Sequence, residues 1–274
     1  MYSFTDTTKK TPDTVAQALP TEAVSFNGSW LDRSVPGFRT LSVSGRESIQ
    51  AEITQREKET SHGSRYIRRR YPKRIIIVNY KLEASSSADF RAAYNTLNEL
   101  LNAEDAKIIF NDEVDKYFMG TCQTVSEVEA GKNIVAGSIE FLCNDPFKYD
   151  DKYTTVSVTN AATAKIITKT AVRTPMIIEI IPTFNMTSLT LKGVAVSSVT
   201  GKDSPIVIKN LSNGKKVIID GENGLVTESG SNKFGDSSFW EFPTLKKGDN
   251  NITITAPSGN PQCTINFKYR ACYI

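Results

Sequence analysis

At 274 residues, 39% hydrophobic and 23% charged, the chain has the composition of a folded protein, long enough for one large or two ordinary domains. A net charge of +3 sets up no global field for nucleic acid, so any phosphate binding would need a local patch. No stretch approaches the ~18 apolar residues that span a bilayer. "MYSFTDTTKKTPDTVAQALP" lacks the apolar core of a secretory signal, so synthesis in a cytosol without membrane insertion is expected.

Residues 1–23 are Thr-rich and polar, with Pro12 and Pro20, and read as an extended arm. "SFNGSW" offers a turn at Asn27-Gly28, and "FRTLSVSG" alternates as a strand ending at Gly45. Residues 46–74, "RESIQAEITQREKETSHGSRYIRRRYPKR", are acidic first and basic afterwards. Glu47, Glu52, Glu57 and Glu59 precede the turn "SHGS"; Arg65, Arg68, Arg69, Arg70, Lys73 and Arg74 follow it. A long hairpin here would set the acidic and basic halves opposite each other, at roughly 0.2–1 kcal/mol per opposed pair. It has little apolar content of its own, so it reads as an arm that docks on something else.

"RIIIVNYKLEA" is a strand whose run Ile75–Val78 predicts burial on both faces. "SSSADFRAAYNTLNELLN" is a helix. Phe90, Tyr94, Leu97 and Leu101 share one face, Ser86 is placed as N-cap, and Asp89 is placed at the third position. "AKIIF", "KYFMGTCQTV" and "NIVAGSIEFLC" follow as strands. At Asp145-Pro146 the chain should leave its first sheet, because proline cannot donate to a ladder and restricts the residue before it. Beyond it, "TTVSV", "AKIITKT", "MIIEII", "SLTLKG", "PIVIKN", "KKVIID", "GLVTE", "SFWEF", "NITITA" and "CTINFKYRACYI" alternate with Gly/Asn/Pro turns. That rhythm is the signature of a β-sandwich. The expected organisation is mostly β: an arm (1–23), an α+β domain with one main helix and a long hairpin (24–146), and an antiparallel sandwich (147–274).

Little here points to catalysis. His62 is the one histidine and falls at the hairpin tip. The carboxylates at Asp112, Glu113 and Asp115, and at Asp145, Asp150 and Asp151, have no spacing that marks an acid–base pair; solvated turns account for them. Cys122, Cys143, Cys263 and Cys272 lack CxxC spacing, so buried free thiols are expected rather than a zinc site. No cofactor is expected. "RYIRRRYPKR" could track a nucleic-acid backbone, but the neighbouring glutamates would repel phosphate, so a solvated strand or a protein interface is favoured. Trp240, between Phe239 and Phe242, is read as core in preference to a sugar-stacking ring.

Several of these runs resemble one family. "SFNG", "RYPKRIIIVNYKL" followed by one helix ending in "LNELL", "IIFNDEVDKYFMG", "IEFLCNDPFKYD" and "VIIDGENGLV…FPTLKKGDNNITI" are similar, in order and spacing, to the distal tail proteins (Dit) of long-tailed, non-contractile bacteriophages. The resemblance covers residues 24–274. It implies a structural virion protein without enzyme activity. Six copies would form a ring at the end of the tail, joining the tail tube protein to the tail-tip protein, with the tape measure and receptor-binding proteins as further partners. It implies a galectin-like sandwich projecting from the ring, and a hairpin reaching the neighbouring subunit. Glu52, Glu57, Glu59, Arg65, Arg68, Arg69, Arg70 and Arg74 would carry that contact, and Asp145-Pro146 would be the domain junction. The sandwich lacks the His-rich sugar signature of galectins. A carbohydrate-binding module for host attachment, built on Trp240, is the alternative.

Overall fold

A computed structural model describes residues 18–274 except 58, 60, 61, 129, 130 and 258. The chain divides into two compact units, one ending at Lys148 and joined by Ile274, the other Tyr149–Tyr273. Most of the 1–23 segment lies outside the described residues. Its last residues are tied to the first unit: the Asn111 side-chain amide donates to the Pro20 carbonyl at 3.0 Å.

The first unit is built on a main antiparallel sheet with one long helix. Its elements are β1 (Val24–Phe26), β2 (Ser29–Trp30), the single turn α1 (Leu31–Ser34), β3 (Phe38–Ser44), β4 (Glu52–Glu57), β5 (Ser64–Arg70), β6 (Arg74–Glu83), α2 (Ser87–Leu101), β7 (Ala106–Phe110), β8 (Lys116–Val125) and β9 (Ile134–Cys143). The strand order is β2-β1-β7-β8-β9-β6-β3. The Asn27-Gly28 turn joins β1 to β2, with Phe26 opposite Ser29. Both turn residues have positive φ, as a two-residue hairpin loop requires. Helix α2 starts where the sequence places it. Ser86 Oγ accepts from the Asp89 amide at 3.1 Å, and the Asp89 carboxylate accepts from the Ser86 hydroxyl at 2.8 Å. Its buried face is Phe90, Ala93, Leu97 and Leu101. Tyr94 is only partly buried, and its hydroxyl meets that of buried Tyr80 at 2.8 Å.

Strand β6 departs from expectation. Ile76, Val78, Tyr80 and Leu82 are buried, but Ile75 is exposed and Ile77 only half-buried. The run of isoleucines therefore alternates like any strand with one covered face, because α2 and the neighbouring side chains cover only that side. The core gathers Phe26, Ile76, Val78, Tyr80, Leu97, Ile108, Phe118, Ile139 and Phe141. Each such side chain stabilises the unit by roughly 1.5–3 kcal/mol.

The second unit is a sandwich. After β10 (Lys148–Asp150) come β11 (Thr154–Thr159), β12 (Thr163–Thr168), β13 (Thr174–Pro182), β14 (Met186–Lys192), β15 (Ile206–Leu211), β16 (Val217–Asp220), β17 (Leu225–Glu228), β18 (Ser231–Asn232), β19 (Ser237–Ser238), β20 (Thr244–Leu245), β21 (Gly248–Thr255), β22 (Cys263–Tyr269) and β23 (Cys272–Tyr273). One sheet runs β11-β22-β13-β16-β17-β18 and the other β12-β21-β14-β15-β19. Inward residues alternate along β12, β21 and β22 and meet in one core around Ile178, Leu191, Ile208, Ile254 and Phe267. Of the "SFWEF" run (238–242) Ser238 alone lies in a strand, as the end of β19; Phe239–Phe242 is irregular.

All four cysteines are free, and Cys143, Cys263 and Cys272 are buried. Burial pushes the Cys143 thiol up to about 12, which leaves it un-ionised and unreactive in the folded protein.

Candidate interaction surfaces

The hairpin of residues 46–74 projects from a clamped base. At its start, the Arg46 guanidinium bonds Asp112 at 2.7 Å and lies 4.5 Å from the Phe110 ring centroid. At its end, Arg74 is 2% exposed. Arg74 donates from Nη1 to the Gly45 carbonyl at 2.7 Å and from Nε to the Pro146 carbonyl at 2.8 Å. Arg74 also lies 5.2 Å from the Phe118 ring centroid. The β6–β9 register explains this: Arg74 pairs with Cys143, three residues before Pro146. Arg74 is therefore not an arm contact as the sequence reading had it. It ties the two ends of the arm to the end of the first sheet. After this strand end the Asp145 carboxylate accepts from the Phe147 amide at 3.1 Å, and Tyr71 packs edge-on against Phe147 with centroids 5.7 Å apart.

Beyond the base, β4 and β5 form a separate two-stranded sheet in which every residue is exposed. Among the described residues the opposed-charge expectation holds at one rung. Arg70 Nε meets Glu52 at 2.8 Å. The ladder then slips between Thr54 and Gln55: Thr54 pairs with Arg68 and Gln55 with Tyr66, so Ile67 is an extra residue in β5. Past this bulge, Arg56 faces Arg65 and Glu57 faces Ser64. Glu59 and His62 lie exposed in the connecting turn. Arg69 instead stacks on Tyr71, 4.8 Å from its centroid. Ile53, Tyr66 and Ile67 are exposed.

The carboxylates near residue 113 serve the fold. Lys148 and Lys116 reach Glu113 at 2.7 and 2.9 Å. Burial alone would raise the Glu113 carboxyl; the hydrogen bonds and charges of the two lysines outweigh it and hold it below its ordinary value. A carboxylate lowered in the folded state contributes stability above its unfolded pKa of ~4.3, and that stability is lost as pH falls through the folded value. Urea unfolding of Glu113→Gln should therefore show a shallower loss of stability than the parent below about pH 4. Identical slopes for the two proteins would remove this role.

In the sandwich, Trp240 is 95% exposed, contrary to its reading as core. Phe239 and Phe242 take the inward positions, packing with centroids 5.2 Å apart against the core, and the residue between them is turned out. Next to it, Glu241 accepts from the Ser198 amide and hydroxyl at 2.9 and 2.7 Å. That bond brings in the loop carrying Val199, which is 91% exposed. Trp240→Ala should leave the unfolding free energy within about 0.5 kcal/mol of the parent, since an exposed ring contributes little packing. A clear drop in a denaturant titration would show that the ring packs after all. Among the described residues no three His, Cys, Asp or Glu side chains are placed to hold a metal ion.

Residues 26–143 match the phage tail protein RIFT-related domain, and residues 169–270 match the siphovirus-type tail component, C-terminal domain. No curated protein matches the sequence. The chain is similar in fold to the crystal structure of phage SPP1 Dit (gp 19.1), described as a paradigm of the hub adsorption apparatus in Gram-positive infecting phages. The identity is 19% and the TM-score 0.76, over 92% of this chain and 99% of that one. A chain of the phage P2 baseplate in its activated conformation with calcium matches at 14% identity and TM-score 0.49, covering 88% of this chain and 92% of that one. With both halves of the sequence matched to tail-protein domains in the order the fold shows, the chain belongs to the siphophage distal tail protein family.

Proposed function

We propose that this protein is the structural hub at the distal end of a phage tail. Copies associate head to tail into a closed ring, a hexamer on the family pattern, that joins the tail tube to the tip and host-recognition proteins. The ring works by geometry, with no reaction and no cofactor: repeated heterologous contacts close when the rotation between neighbours divides a full turn. One observation carries the reading beyond family membership. Among the described residues, strands β4 and β5 pair only with each other and expose every residue. A lone two-stranded hairpin is marginal in water, so a partner surface is what would hold it. The SPP1 protein named above is described as a hub, which supports the same role here. The test is the mass of the full chain by light scattering, with negative-stain images. Ring-shaped oligomers are expected; a monomer at high concentration would sink the reading.

A second reading, a host-surface carbohydrate module, is favoured by the exposed indole of Trp240. Binding on a glycan array that disappears in Trp240→Ala would support it, and no binding to any glycan would remove it.

A further inference from the structure

The hub reading leaves open what the arm touches, and the charge distribution answers that. Side chains directly opposite each other in a hairpin share a face. Ile53, Arg69, Gln55 and Tyr66 therefore lie on one side of the arm; Glu52, Arg70, Thr54, Arg68, Arg56 and Arg65 lie on the other. On the second side Glu52 occupies Arg70, and Arg68 reaches the Thr54 hydroxyl at 3.5 Å. Arg56 and Arg65 face each other across the ladder. Like charges directly opposite weaken an isolated hairpin, so this face gains from an acidic surface brought against it.

The same unit has that surface elsewhere. Residues 46–74 hold nine basic and four acidic side chains, a net of +5; residues 75–148 hold six basic and twelve acidic, a net of −6. The near-neutral total conceals a segregation between arm and body. Arg46 at the base of the arm pairs with Asp112 of the body; beyond it, among the described residues, the strand residues of β4 and β5 are exposed and ladder with each other. Several body carboxylates are already engaged: Asp112 by Arg46, Glu113 by Lys116 and Lys148, Glu83 by Lys81. Glu99, Glu104 and Asp105 are exposed and cluster where α2 ends and the chain turns into β7. The last turn of α2 carries no basic residue, so the negative end of the helix dipole adds to theirs.

We propose that the Arg56–Arg65–Arg68 face of one copy's arm docks on the acidic end of α2, at Glu99, Glu104 and Asp105, in the next copy. The proposal rests on the hub reading and says which surfaces make its contact. A heterologous contact of this kind joins different patches on the two copies, as a ring requires. Its steering is electrostatic, so assembly should weaken as the Debye length shortens from ~30 Å at low salt to ~3 Å at 1 M.

The test is a charge swap on the full chain, read by light scattering, with thermal unfolding as the check on folding. One variant carries Arg56→Glu, Arg65→Glu and Arg68→Glu. A second carries Glu99→Lys, Glu104→Lys and Asp105→Lys, and a third carries all six changes. Each reversed face alone should weaken association by at least about tenfold, and the six-fold variant should recover it. All six positions are exposed, and the arm reversal keeps like charges opposed as in the parent; Asp105 alone has a positive φ of 43°, so Asp105→Lys adds a local backbone cost that thermal unfolding reads separately from association. If the parent assembles and either reversal leaves assembly unchanged, this inference falls while the hub reading stands. If the six-fold variant stays dissociated, α2 is not the receiving surface. If the parent itself is monomeric, both readings fall. Loss of affinity for a short DNA duplex on arm reversal, with assembly intact, would mark the arginines as a nucleic-acid surface and overturn the proposal.

Discussion

A chain lacking residues 50–70 should stay monomeric where the intact protein assembles, with the unfolding of both units unchanged. The two halves of this expectation have separate physical grounds. Neither hydrophobic core contains a residue of the arm between Arg46 and Lys73. Every strand residue of β4 and β5 is exposed, so removing them strips no buried surface from the fold. Surface changes of this kind usually move stability by no more than ~0.5 kcal/mol. The association half follows from what the arm presents outward: exposed Ile53, Tyr66 and Ile67, and the exposed Arg56, Arg65 and Arg68 on one face. Aromatic and arginine side chains of this sort supply most of the binding energy where they are buried at interfaces. The clamps at Arg46 and Arg74 lie outside the deletion, so the base of the arm keeps its attachment. Calorimetry and light scattering on one sample decide the matter. A deleted chain that assembles normally would show that the arm is not the contact.

The largest single-residue loss of stability is expected at Arg74, not among the exposed arginines. Its guanidinium is buried and held by two carbonyls and the Phe118 ring, without a carboxylate. Burial pulls its pKa below the usual arginine value, which shows the cost of placing that charge inside. Arg74→Met keeps the length of the stem but leaves the Gly45 and Pro146 carbonyls unsatisfied. Orphaning a buried polar group costs about 1–3 kcal/mol each, so the first unit should lose roughly 3 kcal/mol. Arg74→Lys should not restore it, because one ammonium cannot reproduce the two-direction fork of a guanidinium. The neighbouring Gly45 is bound into the same knot. It has φ +88, and a Cβ there would sit 2.1 Å from the Ile75 carbonyl oxygen, so Gly45→Ala should fail similarly. Unfolding midpoints of Arg74→Met within error of the parent would overturn this account.

What could be read from the sequence was local. Asn27-Gly28 announced its hairpin because positive φ at two successive positions is chemistry of those two residues alone. Ser86 and Asp89 marked the start of α2 because a cap is closed within one turn. The rhythm of short β runs and Gly/Asn/Pro turns identified the sandwich, and β12, β21 and β22 show the one-face burial that such strands have. The order of motifs carried the family. What failed needed a partner from elsewhere in the chain. Ile75–Val78 cannot report that only one side of β6 is covered. The acidic and basic halves of the arm were read correctly as a hairpin, yet the bulge at Ile67 moved Arg56 opposite Arg65 and left a cationic face where neutrality was expected. Arg74 looked like its exposed neighbours, and the ten-residue β6–β9 ladder carried it to Pro146 instead. Trp240 looked like core because it is flanked by phenylalanines, which are half-buried against the core, and an irregular backbone turned it outward. By itself the sequence determined most of the segments that are strand, helix and turn, because those depend on bonds made within a few residues. Only the tertiary structure decided which charges meet and which aromatic ring is left in water, because register and packing set those across tens of residues.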